Sequence, residues 1–426
     1  MNSIDPANAV QTWLRIERGR LRIGDFRTAL SSKIRVIAVG KASAPMLATA
    51  LDILGKRVVS GILIIPRNSK LKNIDKRIVM FRSSHPLPDE EGVRASRRVL
   101  MSIDRMHANE LLLCLISGGA SAMLPAPTSD ITLEDLRNVT QRLIRSRVSI
   151  HQINTVRRHL SELKGGKLVE RCNAGTIISL TISDVPGNVI SDIASGLTAP
   201  DPTTFRDAIN VLKEFKVWNP APQSVRNHLQ QGLAGNIPET PKPGNHIFNK
   251  VHNFVVADNR TACEAARRVL QGKHIPTTIM TSSLDMEARS LGKLLASVAR
   301  DSDQFDHPLE SPSAVIFGGE TTVEVEGSGK GGRNQETALA TVKRIEGLNE
   351  VTIATLGTDG VDGNSPAAGA IVDSNSIIRA KRLRLRVRDF AERNDSYNFF
   401  RKLNDNIVTG PTGTNVGDLY LLIRGR

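Results

Sequence analysis

A short apolar run that ends in a turn of glycine and small polar residues, followed by a helical pattern, recurs along these 426 residues. VIAVGKASAPMLATALDIL from Val36, LLLCLISGGASAML from Leu111 and NFVVADNRTACEAARRVL from Asn253 carry the full unit, and TIISLTISDVPGN from Thr176 carries the run and the turn. Strands that are apolar without alternation need cover on both faces, so the chain is expected to build a parallel sheet between helices, an α/β fold. Ligands of such sheets bind beyond the carboxyl ends of the strands, where each of these turns would sit.

The chain is long for one core, and its 40% hydrophobic and 23% charged residues are those of an ordinary globular protein. Between Trp218 and Phe254 the composition shifts to Pro, Gly and Asn, which suggests one domain over 1–250 and another over 251–426. The second domain should have strands at 314–317, 323–326, 351–356 and 419–423. Their directions should be mixed, because GGETTVEVE reads as a short link between neighbouring strands.

Cys114, Cys172 and Cys263 are too scattered for a disulfide framework or a zinc site, and Cys114 inside LLLCLI reads as a buried, inert thiol; a reducing cytoplasm fits. No apolar run has membrane-spanning length, and the amino-terminal stretch has no signal-like apolar segment. The formal charge of +14 calls for an anionic partner. With 4% aromatic residues and no zinc-finger or RNP pattern, anionic metabolites are favoured over nucleic acid.

One loop carries glycines and cations together. In VEVEGSGKGGRNQETALA, from Val323, a strand pattern leads through four glycines, Lys330 and Arg333 into a helical pattern. Exposed N–H groups beside two cations at a helix start make an anion cradle, with Gly329, Lys330, Gly331, Gly332, Arg333 and Asn334 as its candidates. Gly327, Gly329 and Gly332 also satisfy the dinucleotide pattern GxGxxG, but the acidic residue that should close the next strand is late, at Asp359.

Further polar groups fall at turns. Lys41 follows the first strand directly, and Gly40 before it lets a ligand approach the backbone. The turn SGGASAM offers Ser117, Gly118, Gly119 and Ser121 for a phosphate or carboxylate, whereas Ser121 lacks the second glycine of a nucleophile elbow. IHQINTVRRHLSELKGGK, from Ile150, reads as one amphipathic helix capped by Gly165 and Gly166, with Asn154, Arg157, Ser161 and Lys164 along its polar stripe. SDVPGN and GTDGVDG bring Asp184, Asp359 and Asp362 to strand ends, either as Mg²⁺ or proton holders or as turn residues. TGPTGTNVGDLYLL is too polar and regular for a plain loop, and a nucleotide or substrate contact is expected from its Thr414 and Asn415, as from Thr358 in GTDGVDG.

Taken in order, GKASAPM, SHPLPDE, SGGASAM, INTVRRHLSELKGGKL, SDVPGN, IASGLTAPDPTTF, ADNRTACEAA, GGETTVEVEGSGKGGRNQETALA, GTDGVDG, NDSYNFF and TGPTGTNVGDL resemble the glycerate 2-kinase family, whose carboxyl-terminal part is the MOFRL domain. The resemblance implies a Rossmann-like three-layer domain, a smaller mixed α/β domain and an active site in the cleft between them. It implies γ-phosphoryl transfer from ATP to the 2-hydroxyl of D-glycerate with Mg²⁺ or another divalent cation, in a monomer or homodimer. Carried over by motif, the family's catalytic positions fall on Lys41, Arg333, Asp184 and Asp359, with Asp184 and Asp359 also as metal ligands. Relatives labelled hydroxypyruvate reductase make an NAD(P)H-dependent reductase the alternative. The chain departs from the family pattern at Ala120, Asn188, Leu197, Asn364 and Pro366.

Overall fold

The computed structural model describes residues 2–146 and 148–425. The described residues form two compact units, one within 6–183 and 188–256, the other within 2–5, 184–187 and 257–425.

The first unit opens with an antiparallel three-stranded sheet, β1 (Leu14–Glu17), β2 (Arg20–Ile23) and β3 (Phe26–Ala29). Its main sheet comprises β4 (Ile34–Val39), β5 (Val58–Pro66), β6 (Ile78–Ser83), β7 (Leu111–Ile116), β8 (Thr176–Ile182) and β9 (Val251–Ala257), in the order β6-β5-β4-β7-β8-β9. The pairs from β6 through β8 are parallel. Every residue of β7 is buried, as expected of a strand covered on both faces. The helix Ser43–Leu54 follows β4, and Glu90–Asp104 follows β6 with its first turn capped by Asp89, which accepts from Gly92 N at 2.9 Å.

The second unit contains β10 (Thr277–Glu287), β11 (Ser313–Thr322), β12 (Val351–Gly357), β13 (Gly369–Asp373), β14 (Asn406–Ile407) and β15 (Asp418–Arg424), ordered β10-β11-β15-β12-β13-β14. β10 and β11 are parallel and the other pairs antiparallel, so the mixed direction holds. One core runs through it, from Leu291 and Leu295 across Val315, Ile353 and Tyr420 to Phe399 and Phe400.

Three local expectations are corrected. GGET is no link between strands; it is the end of β11, where a Cβ on Gly318 would strike Asn259 and one on Gly319 would strike the Leu284 backbone. Residues 323–326 form no strand despite their alternation. Their backbone is held by one side chain, because Asn394 Oδ1 accepts from Glu326 N and Gly327 N, both at 2.9 Å, and Asn394 Nδ2 donates to Glu324 O at 3.0 Å. The helix expected across 150–167 ends at His159, since Ser161 bridges to Pro127 and the Gly165 and Gly166 N–H groups donate to Ser195 O and Gly196 O. Gly166, at φ +82°, opens the next helix, Lys167–Arg171, rather than closing the previous one.

The three cysteines are buried and free, and burial raises their thiol pKa values, that of Cys263 to about 12. Among the described residues no helix is long and apolar enough to cross a membrane.

Candidate active site

In the first unit the turns after β4 and β7 are tied together. Lys41 N donates to Gly118 O at 2.9 Å, Ala42 N donates to Ser117 Oγ at 3.0 Å, and Ser117 N donates to Val39 O at 3.0 Å. Gly40 makes this approach possible: its φ is +120°, and a Cβ there would collide with Ser117. The Gly118 and Gly119 N–H groups have no acceptor among the described residues, so the turn presents two open donors. Gly119 carries φ +89°, and the helix Ala120–Met123 starts behind it. Ala120 therefore needs no left-handed backbone, and its methyl is accommodated at this departure from the family pattern.

Cations gather around the turn. The Lys41 ammonium is exposed and has no carboxylate within ion-pair distance among the described residues. Among the described residues Arg157 also lacks a carboxylate, its one side-chain bond there being Nη1 to Asn154 Oδ1 at 3.5 Å, and burial lowers its pKa to about 10. Lys164 is 2% exposed and donates to the carbonyls of Leu124 and Pro125; burial first, and then Arg157, lower its pKa to about 7. Ser121, Arg157 and Lys164 line one pocket with Pro88, Pro125 and Thr140.

Two contributors went unread in the sequence. Ser195 Oγ donates to Ser121 Oγ at 2.9 Å and to Asn154 Oδ1 at 2.8 Å, alternatives for a single proton, and Asn154 Nδ2 anchors on Asp192 O at 3.0 Å. His85 sits against Gly119, whose Cβ would lie 3.2 Å from its ring. The chain packed around the His85 ring, then Lys41 and Arg157, lower its pKa to about 4, so it stays neutral at pH 7 although part of its surface is open.

Behind this cluster lies a charge network that sequence also leaves hidden. Arg158 is wholly buried and donates to Asp192 Oδ1 (2.5 Å), Asp201 Oδ1 (3.1 Å) and Ser191 O (2.7 Å). It shares the helix Ile150–His159 with Asn154 and Arg157, so the backbone that carries Arg157 is pinned by the residue next to it.

In the second unit the glycine loop is a narrower cradle than expected. Gly327 N, Gly329 N, Lys330 N and Gly331 N donate to Asn394, Arg393, Asp395 and Asn364, each at 2.9 Å. Those of Ser328, Gly332 and Arg333 lack an acceptor among the described residues. Asn364, where the family has another residue, also donates to Gly329 O at 3.1 Å and so braces the loop from both sides. The start of the helix Arg333–Thr341 has its own anion, since Asp362 accepts from Asn334 N (3.0 Å) and Gln335 N (2.8 Å). Asp362 is thus a cap, and Asn334 Oδ1 is left buried without a donor.

Arg333 is not a free cation. Its Nε and Nη2 donate to the Asp418 carboxylate at 2.6 and 3.1 Å, and its Nη1 donates to Glu320. Burial alone would lower the guanidinium pKa, but Asp418 and Glu320 outweigh it and raise it. Glu320 is raised in turn by burial, against the pull of Arg333 and with the push of Asp418 and Asp184. Asp184 therefore stands within electrostatic reach of Glu320. Asp359 Oδ1 accepts from Val361 N at 3.1 Å; Thr358 closes on the Gly417 carbonyl at 2.6 Å, Thr414 on Ile4 O at 3.0 Å, and Asn415 Oδ1 accepts from Gly417 N at 3.0 Å. These last contacts hold the loop together. Lys330 is exposed, with no side-chain partner among the described residues.

The dinucleotide reading of this loop loses its context. β15 lies between β11 and β12, so the expected neighbouring parallel strands are absent, and a Cβ on Gly327 or Gly329 would strike the backbone or side chain of residues 393–395.

A parallel α/β unit with open donors, and cations without carboxylate partners among the described residues, at its strand carboxyl ends, in one chain with a mixed α/β unit, defines a two-part α/β protein with a turn suited to anions. Residues 1–230 match the family model described as "Domain of unknown function (DUF4147)", and residues 313–418 match the "MOFRL family". The chain is 38% identical to a "Glycerate 2-kinase" of Pyrococcus horikoshii, over 100% of its own length and 96% of that protein, and 38% identical to a "D-glycerate 2-kinase" of Thermotoga maritima, over 91% and 90%. It is 36% identical to a "Putative hydroxypyruvate reductase" of Agrobacterium vitis over 92% and 87%. The crystal structure of a glycerate kinase from Thermotoga maritima superposes with a TM-score of 0.85 at 35% identity, covering 99% of this chain and 96% of that one. A Pyrococcus horikoshii protein superposes at 0.83 with 37% identity, over 100% and 95%. The chain belongs to the glycerate 2-kinase family.

Proposed function

We propose that the protein transfers the γ-phosphoryl group of ATP to the 2-hydroxyl of D-glycerate, giving 2-phosphoglycerate and ADP. The observation that carries this reading is the turn Ser117–Gly118–Gly119, with two open N–H donors beside Lys41 and Arg157, which have no carboxylate partner among the described residues. Such a turn suits a small carboxylate or a phosphoryl oxygen, and in phosphoryl transfer catalysis is mostly positioning and charge neutralisation.

In this reading the Gly118 and Gly119 N–H groups and Arg157 orient the substrate carboxylate, and Lys41 meets charge on the transferring group. Ser121, fixed through Ser195 and Asn154, orients a hydroxyl of the substrate. The 2-hydroxyl passes its proton to a carboxylate, Asp184 or Asp359, as its oxygen bonds phosphorus, and the bond from phosphorus to the ADP oxygen breaks. In the second unit Arg333 is positioned by two carboxylates, and Lys330 is available to phosphate oxygens. A divalent cation supplies charge neutralisation on the phosphates when bound. Asp184, within electrostatic reach of Glu320, would hold one, with Asp359 as a further donor. Among the described residues no three His, Cys, Asp or Glu side chains form a ready-made metal cage. Mg²⁺ usually takes one or two carboxylates together with substrate phosphates.

³¹P NMR of the protein with D-glycerate, ATP and Mg²⁺ tests the reaction and its position together. A phosphomonoester signal coupled to the proton on C2 is expected. A product phosphorylated on C3, or NADH oxidation with hydroxypyruvate and no ADP release from glycerate, would overturn the reading.

A further inference from the structure

The first unit has a second basic pocket that the proposed reaction does not use. It lies towards the amino ends of β4, β5 and β6, the opposite end of the sheet from the Lys41 turn, and encloses about 150 Å³. Its lining includes Arg35, Ser60, Arg77, Arg98, Ser102 and Arg105. Arg98, Met101, Ser102 and Arg105 follow the i, i+3, i+4, i+7 spacing of one helical face, at the end of the helix Glu90–Asp104.

Solvated arginines near a helix carboxyl end are common, because they complement its dipole. Arg98 and Arg105 are exposed and have no acceptor among the described residues, and both line the pocket. Two observations go beyond a solvated helix end. Arg35 gives one nitrogen to Glu110 at 3.3 Å while its Nε is buried with no acceptor, which is costly for a guanidinium unless something else accepts the proton. The Ser60 and Ser102 hydroxyls, too, have no hydrogen-bond partner among the described residues. Arg77 is different, being satisfied by Asp75 and by the carbonyls of Gly55 and Val58, so it is a fixed wall. The lining also has apolar members among the polar groups, with Val79 40% and Met101 47% exposed.

We propose that this pocket binds a phosphate group, free or carried on a small organic body, at a site separate from the reaction. Guanidinium forks and hydroxyls match phosphate oxygens. Its volume is below the ~300 Å³ from which pockets for drug-sized ligands usually start, which favours a small phosphomonoester over a nucleotide.

Titration calorimetry with inorganic phosphate, at ionic strength held constant with chloride, tests this on the whole protein in wild-type, Lys41→Ala and Arg98→Ala/Arg105→Ala forms. Saturable binding should survive in Lys41→Ala and weaken by about tenfold or more in the double arginine variant, whose activity without added phosphate should match wild type. Binding lost in Lys41→Ala but unchanged in the arginine variant, or no saturable binding in Lys41→Ala, would overturn the proposal. Glycerol 3-phosphate separates the sources. Tighter binding than inorganic phosphate, dependent on Met101, indicates a ligand with an organic body, and equal affinity indicates free phosphate. The readout is binding alone, so it stands apart from whether glycerate is the substrate.

Discussion

Lys164 shows how burial changes what a single charge does. Its folded pKa of about 7 lies below the ordinary 10.5, so between those values the unfolded chain holds the extra proton. Stability therefore rises with pH across that window, and the penalty is fully present below about pH 7. Urea unfolding at about pH 7 and about pH 9.5 should show wild type gaining stability with pH relative to Lys164→Met; an identical slope in both would place the ammonium in water. Arg333 makes the opposite case, a cation kept charged by two carboxylates. Arg333→Lys keeps the charge but loses the fork to Asp418, and it should lose most kinase activity and about 2–3 kcal/mol of stability, measured separately by turnover and by melting. Ala194 and Ser195 carry φ values of +51° and +56°, a conformation that costs non-glycine residues about 1–3 kcal/mol each. The second of them delivers the hydroxyl shared between Ser121 and Asn154. Ala194→Gly should raise the melting temperature while weakening substrate binding, seen as a higher KM.

At the scale of elements, the strand–turn–helix units were legible because their signals are local: apolar runs at 36–39 and 111–116 became β4 and β7, and the turns behind them carry Lys41 and Ser117. What sequence concealed depends on distant partners. The VEVE alternation at 323–326 mimics a strand, but the partner that decides its conformation is the Asn394 side chain. In the helix Ile150–His159, the apolar period continues through Leu160 and Leu163 although the backbone has left the helix, so periodicity overran the true end. Arg158 looks like one more solvated charge until Asp192 and Asp201 are folded around it. Arg158→Ala should cost about 3–5 kcal/mol, because both carboxylates would stay buried without their partner. Asp362→Ala, which uncaps the helix Arg333–Thr341, should cost about 2 kcal/mol in urea unfolding.

For the whole molecule, the charge of +14 sets a field that draws anionic substrates, and exposed Lys41 contributes to it. Raising ionic strength beyond 0.1 M, where the Debye length is about 10 Å, should raise the KM for glycerate more than it lowers kcat. The sheet of the second unit has a different consequence, one of timing. β15 is the middle strand, paired with β11 on one side and β12 on the other, yet its residues are synthesised after those of every neighbour. Until 418–424 leave the ribosome, β10–β11 and β12–β14 are two half-sheets with open hydrogen-bonding edges, the kind of surface on which nascent chains stick to one another. A seven-residue segment thus works as a closing stitch, and a chaperone that shields those edges would be needed only for the moments before it arrives.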